Sequence, residues 1–287
     1  MNILQALQKS TSFVNKITNQ SQLESKIEAE HIFMFVLKVN KSKLYEQFNI
    51  TLTEYNSKKI QDILELRKNK PLSYILKRHT FYNDEFYIND NVLIPRPETE
   101  SIIDEVLKQG DLLFKQKKKC TFLDAGTGSG CVGITIANER PKWRVLLIEL
   151  YSEAIEVVKI NLKLCNKNNV DLICSDWLKP IAKNSFDLIF SNPPYVSVND
   201  ESIEEFVMDN EPSTSLFSKK NGLEDINKII KYSRKVLSKN GVLFLENGSG
   251  QSKDISSHLE LNDFTDIRVH IDYNGHDRFT SSRINNG

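Results

Sequence analysis

The chain has 287 residues, 39% hydrophobic and 26% charged, which supplies apolar material for a packed core and argues against wholesale disorder. Lys+Arg and Asp+Glu both number 38, so no net field draws the whole molecule to nucleic acid. Cys120, Cys131, Cys165 and Cys174 form no C-x-x-C pair and no histidine cluster accompanies them, which excludes a metal site of that kind and points to free thiols in a reducing cytoplasm.

Residues 1–80 contain no glycine and read as a helical bundle with short connections. The opening, Met1 to Ser10, lacks the long apolar stretch of a signal peptide. Ser21-Gln-Leu-Glu24 fits a capping box. Leu23, Ile27, Phe33, Val36 and Leu37 then recur at close to helical spacing, and Phe33, Met34 and Phe35 read as core. Ile60, Ile63 and Leu64 repeat the period before Pro71 stops it. Residues 1–80 hold thirteen basic and seven acidic residues. Ordinary scatter accounts for that excess, and so does a basic lobe that meets an acidic partner.

Residues 81–95 change character. Phe81-Tyr82, Phe86-Tyr87-Ile88 and Val92-Leu93-Ile94, punctuated by Asn and Asp, predict a β-hairpin that links two domains. Ile102 to Leu113 is helical again. From residue 120 strands and helices alternate. Strands are expected at Thr121–Asp124, Arg144–Glu149, Asp171–Cys174, Phe186–Ser191, Gly241–Glu246, Ile267–Ile271 and Arg278–Ser282. Helices are expected after the glycine loop through Ala137, and at Ser152–Leu164 and Asn227–Leu237. This alternation predicts a mainly parallel sheet covered on both faces. No apolar run reaches the roughly 18 residues a membrane span needs.

Asp124-Ala-Gly126-Thr127-Gly128-Ser129-Gly130 leaves one strand and opens one helix. Glycines there let the backbone turn and approach a ligand, and the helix amides favour an anionic group. Position 131 is Cys, where the dinucleotide fingerprint wants glycine, so a nucleoside with a small amino-acid tail fits better than a pyrophosphate. Glu149 ends the next strand, where a carboxylate accepts from ribose hydroxyls. Asp176 and Trp177 follow the third, offering an acceptor for an adenine amino group and a ring to cover the base. All three segments fall beyond strand carboxyl ends, where open α/β sheets bind ligands.

Phe186 to Ser191 runs into Asn192-Pro193-Pro194-Tyr195. Two prolines fix φ and remove two donors, so the neighbouring carbonyls face outward as acceptors. A planar NH2 group has two protons to place. Asn192 Oδ1 and the Pro193 carbonyl supply the two acceptors, and the stacked Tyr195 ring fixes the plane. An amide nitrogen is a poor nucleophile and no strong base is evident, so positioning and stabilisation of developing charge must carry the chemistry. Arg96 with Glu98 to Glu100 either orders the cofactor pocket or pairs internally, and His276 reads as a turn residue.

These motifs come with Pro71-Leu-Ser-Tyr74, the run Val92-Leu-Ile-Pro-Arg-Pro-Glu-Thr-Glu100, Glu211-Pro212, Leu243-Phe-Leu-Glu246 and Gly275-His-Asp-Arg278. Together, over nearly the whole chain, they resemble the protein-(glutamine-N5) methyltransferases that modify class-1 peptide chain release factors. The resemblance implies a helical substrate-recognition domain at 1–80, a β-hairpin linker at 81–98, and a methyltransferase domain at 99–287. The last would be a seven-stranded, mainly parallel, Rossmann-like α/β sheet with one antiparallel strand near its edge. It implies S-adenosyl-L-methionine as cofactor, contacted by Gly126, Thr127, Gly128, Ser129, Gly130, Glu149 and Trp177; Asp176 and Asn192 are expected beside it from their places after the strand ends. Asn192, Pro193, Pro194 and Tyr195 would hold the glutamine of a Gly-Gly-Gln motif. The expected enzyme is a cytoplasmic monomer with no metal, no membrane contact and no stable nucleic acid partner. The sequence departs from the family at Glu149, where Asp is usual, and at Gly248-Ser-Gly250. Three rivals stand beside it: an adenine-N6 or cytosine-N4 methyltransferase of DNA or RNA, using the same corner on a flipped base; a ribosomal-protein glutamine methyltransferase; and a non-catalytic module that docks on a translation factor. The net acidity from residue 81 onward disfavours the first.

Overall fold

Capping chemistry sets the first helices. In the computed structural model, which describes residues 1–166, 169–200 and 203–284, α1 (Ile3–Thr18) opens on a capping box between Asn2 and Gln5. α2 (Gln22–Leu37) opens on the one between Ser21 and Glu24. α3 (Lys41–Glu46), α4 (Glu54–Arg67) and α5 (Leu72–Leu76) complete a first unit, Met1–Lys77. Its core joins Ile3, Leu7 and Val14 of α1 to Ala29, Ile32 and Phe33 of α2 and Ile60 and Leu64 of α4. Leu23 and Ile27 are not part of it, being 68% and 40% exposed. The buried face of α2 runs through Ser25, Ala29, Ile32 and Phe33, and Leu23 and Ile27 sit two residues out of phase with it, about 200° around the helix.

The second unit, Arg78–Gly287, begins with an antiparallel pair, β1 (His79–Phe81) and β2 (Asp84–Phe86). The strand expected at Val92–Ile94 does not form, because no described strand lies beside it to complete a ladder. Ile88 and Val92 are buried nonetheless, and α6 (Pro97–Glu100) and α7 (Ile103–Lys117) follow.

The remainder is β3 (Thr121–Ala125), α8 (Cys131–Glu139), β4 (Arg144–Glu149), α9 (Ser152–Cys165), β5 (Val170–Cys174), β6 (Phe186–Ser191), β7 (Val196–Ser197), α10 (Glu205–Asn210), α11 (Ser213–Leu216), β8 (Phe217–Ser218), α12 (Glu224–Val236), β9 (Leu237–Glu246), α13 (Ser252–Glu260), β10 (Phe264–Ile271) and β11 (Asp277–Ile284). Seven strands form one sheet in the order β10-β11-β9-β6-β3-β4-β5, with β11 antiparallel to both its neighbours. Alternation along each strand sends Phe122, Leu188 and Phe190 into a core with Val106, Ile134 and Trp143. Leu123, Ile189 and Leu243 enter a second core with Ile226, Ile230 and Ile255 on the other face. The fold is the α/β class expected, with both faces of the sheet covered. The sequence pattern misses α10, α11, α13 and the two-residue ladder of β7 with β8. No helix among the described residues is long and apolar enough to cross a membrane.

Candidate active site

Register puts the motifs side by side. Ala125 of β3 pairs with Ile148 of β4, Glu149 of β4 with Cys174 of β5, and Asp124 of β3 with Phe190 of β6. Four strand carboxyl ends therefore lie in a row. Ser191 Oγ donates to the Ala125 carbonyl at 2.6 Å and fastens the end of β6 to the end of β3. The double-proline segment thus emerges next to the glycine loop.

The loop is held from both flanks. The Gly126 and Thr127 amides both donate to the Ile148 carbonyl at 2.9 Å. Asp124, 2% exposed, accepts from Thr127 Oγ1 at 2.7 Å and from the Gly133 amide at 3.0 Å. Burial pushes the Asp124 carboxyl up to about 6, against the pull of those two bonds. Gly126 has φ of 73°, and a Cβ there would come within 2.9 Å of the Trp177 ring, so glycine is required twice over. Gly133, one turn into α8, takes the close-packing role that the dinucleotide pattern gives its last glycine: a Cβ there would meet Leu147 at 2.1 Å.

Glu149 is 6% exposed. Its Oε2 accepts from the Gly128 amide at 2.9 Å, and its Oε1 from the Leu150 and Tyr151 amides at 2.8 and 3.1 Å. Those three bonds use most of the roughly four lone-pair positions of a carboxylate. Oε2 keeps one position for a ligand hydroxyl, while Oε1 is committed to the backbone. Glu149 therefore shapes the loop as well as facing the cavity.

A cavity of about 450 Å³ opens over these strand ends. Gly126, Thr127, Gly128, Ser129, Glu149, Asp176, Trp177, Asn192 and Pro194 line it. Gly130, which caps α8, together with Pro193 and Tyr195, does not. Pro193 is buried, and the Tyr195 phenol lies 3.4 Å from Glu246 Oε1 while Gln251 Nε2 donates to the Tyr195 carbonyl at 2.9 Å. No hydrogen bond among the described residues engages the Asn192 side chain or the Pro193 and Pro194 carbonyls. Asp176 is half-buried and paired with Lys179. Leu93, Pro95 and Thr99 of the linker run, and Asp225 and Lys228 of α12, also line the cavity. The first three lie in a run that the sequence signals, and nothing in the local pattern marks the last two. Arg96 does not pair with its acidic neighbours. It reaches Glu211 at 2.8 Å, and Glu211 also accepts from the Ile94 amide. His276 is an exposed turn residue whose amide donates to Asp272.

The donor set suits a nucleoside with an amino-acid tail: a buried carboxylate with one free position, a ring wall at Trp177, and loop backbone at a helix N-terminus. Burial pushes the Cys131 thiol beside the loop up to about 12, which keeps it a thiol rather than a nucleophilic thiolate. No group of three His, Cys, Asp or Glu placed to hold a metal ion occurs among the described residues.

Glu246 lies 1% exposed behind the proline corner and accepts from Thr99 Oγ1 at 2.7 Å. Burial pushes its carboxyl up to about 7, with Glu98 adding to the rise and Thr99 and Arg278 opposing it. A folded pKa above the unfolded one gives stability that is full below pH 4.5 and is lost as pH rises through 7. Glu246→Gln should remove a loss on the order of 3 kcal/mol between those limits. Urea midpoints at pH 4.5 and 7.5 measure it, and parallel changes in wild type and variant would contradict it.

The Methyltransferase small domain family model matches residues 111–211. The release factor glutamine methyltransferase of Francisella tularensis is 34% identical over 93% of this chain and 93% of that one. Its counterpart from Thermodesulfovibrio yellowstonii is 33% identical over 96% of each. Among solved structures, a methyltransferase from Pyrococcus furiosus covers 70% of this chain and 88% of its own at a TM-score of 0.50 and 17% identity. The hMettl16 catalytic domain, solved in complex with MAT2A 3'UTR hairpin 6, covers 70% and 74% at a TM-score of 0.55 and 17% identity. Both structural likenesses are of fold alone.

Proposed function

Since this chain belongs to the release factor glutamine methyltransferase family, we propose that it methylates the side-chain amide nitrogen of a glutamine in a class-1 peptide chain release factor, with S-adenosyl-L-methionine as donor. The target is the glutamine of the Gly-Gly-Gln motif. The observation that carries the proposal is the shared cavity: Asn192 and Pro194 line the same space as the glycine loop and Glu149, and no described residue hydrogen-bonds the Asn192 side chain or the adjoining Pro193 carbonyl.

Gly126 to Ser129, Glu149 and Trp177 would hold the cofactor, whose sulfonium would supply an electrophilic methyl group and leave as the neutral thioether. The chain's own part is to place the amide. Asn192 Oδ1 and the Pro193 carbonyl take its two N–H groups and set its plane. Tyr195, tied at its phenol and its carbonyl, keeps the corner rigid. These acceptors stabilise the positive charge that develops as the nitrogen pyramidalises. Burial beside Glu246 raises the Tyr195 phenol, so it stays protonated and donates. The nitrogen proton leaves to water after transfer.

The enzyme works as a cytoplasmic monomer without stable nucleic acid. Balanced charge and unpaired cysteines support that reading. Purified protein with labelled S-adenosyl-L-methionine should transfer label to a class-1 release factor and leave DNA and ribosomal proteins unlabelled. Label on DNA alone would overturn the substrate.

A further inference from the structure

Trp177 is the non-glycine residue of the cavity wall with left-handed backbone, at φ of 52°. That conformation costs about 1 kcal/mol or more, so contacts elsewhere must hold the residue there. One side of the ring is fixed by Gly126. Opposite, the indole Nε1–H donates to Asp225 Oδ1 at 3.3 Å.

Asp225 is itself tightly framed. Its Oδ2 accepts from Ser218 Oγ at 2.6 Å, its own amide donates back to Ser218 Oγ at 3.2 Å, and Lys228 Nζ reaches Oδ1 at 3.0 Å. Ser218 belongs to β8, which pairs with β7 at Ser197, two residues beyond Tyr195. One carboxylate therefore grips the base wall of the cavity and rests on the strand that continues the proline corner. Asp176, the acid next to Trp177 in sequence, makes no such contact and is paired outward with Lys179.

We propose that Asp225 is a positioning residue of the cofactor pocket, acting through the Trp177 N–H to hold the indole as its wall. This rests on reading the cavity as the S-adenosyl-L-methionine site. A purely structural Asp225, in the first turn of α12, would stabilise that helix by its charge and leave ligand affinity alone.

The test uses S-adenosyl-L-homocysteine and calorimetry on the full chain. Asp225→Ala should weaken binding about tenfold, the worth of one hydrogen bond to a charged acceptor. Asp225→Asn, which keeps an acceptor, should recover most of it. Trp177→Phe removes the N–H and keeps a ring, so it should lose about as much as Asp225→Ala, and adding Asp225→Ala to it should cost little more. Trp143, the other tryptophan, is 2% exposed, so a red shift of the ligand-free emission in Asp225→Ala would report Trp177. Wild-type affinity in Trp177→Phe overturns the proposal even if the Asp225 variants fail to fold. Equal losses from Asp225→Ala in both backgrounds overturn it as well. Wild type that fails to bind the ligand removes the cofactor site itself. Wild type that binds, with Trp177→Phe and Asp225→Ala unchanged, sinks this inference only.

Discussion

Asn192→Ala should lower turnover about a thousandfold while S-adenosyl-L-methionine binds within a few-fold of wild type. The Asn192 side chain is half-buried at the end of β6, and no described residue hydrogen-bonds it. Removing it therefore breaks no internal bond and should leave the unfolding midpoint nearly unchanged. What is lost is an acceptor for the amide N–H and, with it, the orientation of a weak nucleophile. Because that acceptor matters most as charge develops on nitrogen, kcat should fall more than KM for the release factor rises. Single-turnover rates and calorimetry separate the two effects. Equal loss of turnover and cofactor affinity would show that Asn192 shapes the pocket rather than the reaction.

Glu149→Ala should weaken cofactor binding about a hundredfold, from the loss of charge-assisted bonds. The three backbone amides that Glu149 accepts belong to the glycine loop and to the turn into α9. Alanine leaves all three without their acceptor, so the loop loosens and some thermal stability goes with it. Glu149→Asp, the residue usual in the family, should keep most of the affinity. Glu149→Gln should not, because its NH2 group sets a donor against an amide donor on one side. Calorimetric titration decides the matter, and unchanged affinity in Glu149→Ala would take the residue out of the site.

Much of this arrangement is written locally. Ser21 and Glu24 announce the start of α2, and the apolar runs at Phe122–Leu123, Val145–Ile148 and Leu188–Phe190 announce strands buried on both faces. The motifs follow strand ends, so a parallel sheet brings them together with no further information. What escapes the sequence depends on contacts between distant residues. β7 and β8 are two residues each and are defined by pairing across about twenty intervening positions. Glu211 is marked by the resemblance, but its pairing with Arg96 and the Ile94 amide, more than a hundred positions away, is not. Asp225 sits 48 positions from the indole it accepts from. Leu23 and Ile27 mislead in the other direction: their period is helical, but the small residues Ser25 and Ala29 decide which face of α2 is buried. Tyr195 belongs to the expected corner, yet burial beside Glu246 and the grip of Gln251 hold it behind the cavity rather than on its wall.

Tandem mass spectrometry of a class-1 release factor, after incubation with the protein and S-adenosyl-L-methionine, locates the methyl group directly. It should lie on the side-chain amide of the glutamine in Gly-Gly-Gln, and be absent when Asn192→Ala replaces wild type. A methyl group on any other residue, or an unmodified glutamine while the cofactor is consumed, would contradict the proposed reaction.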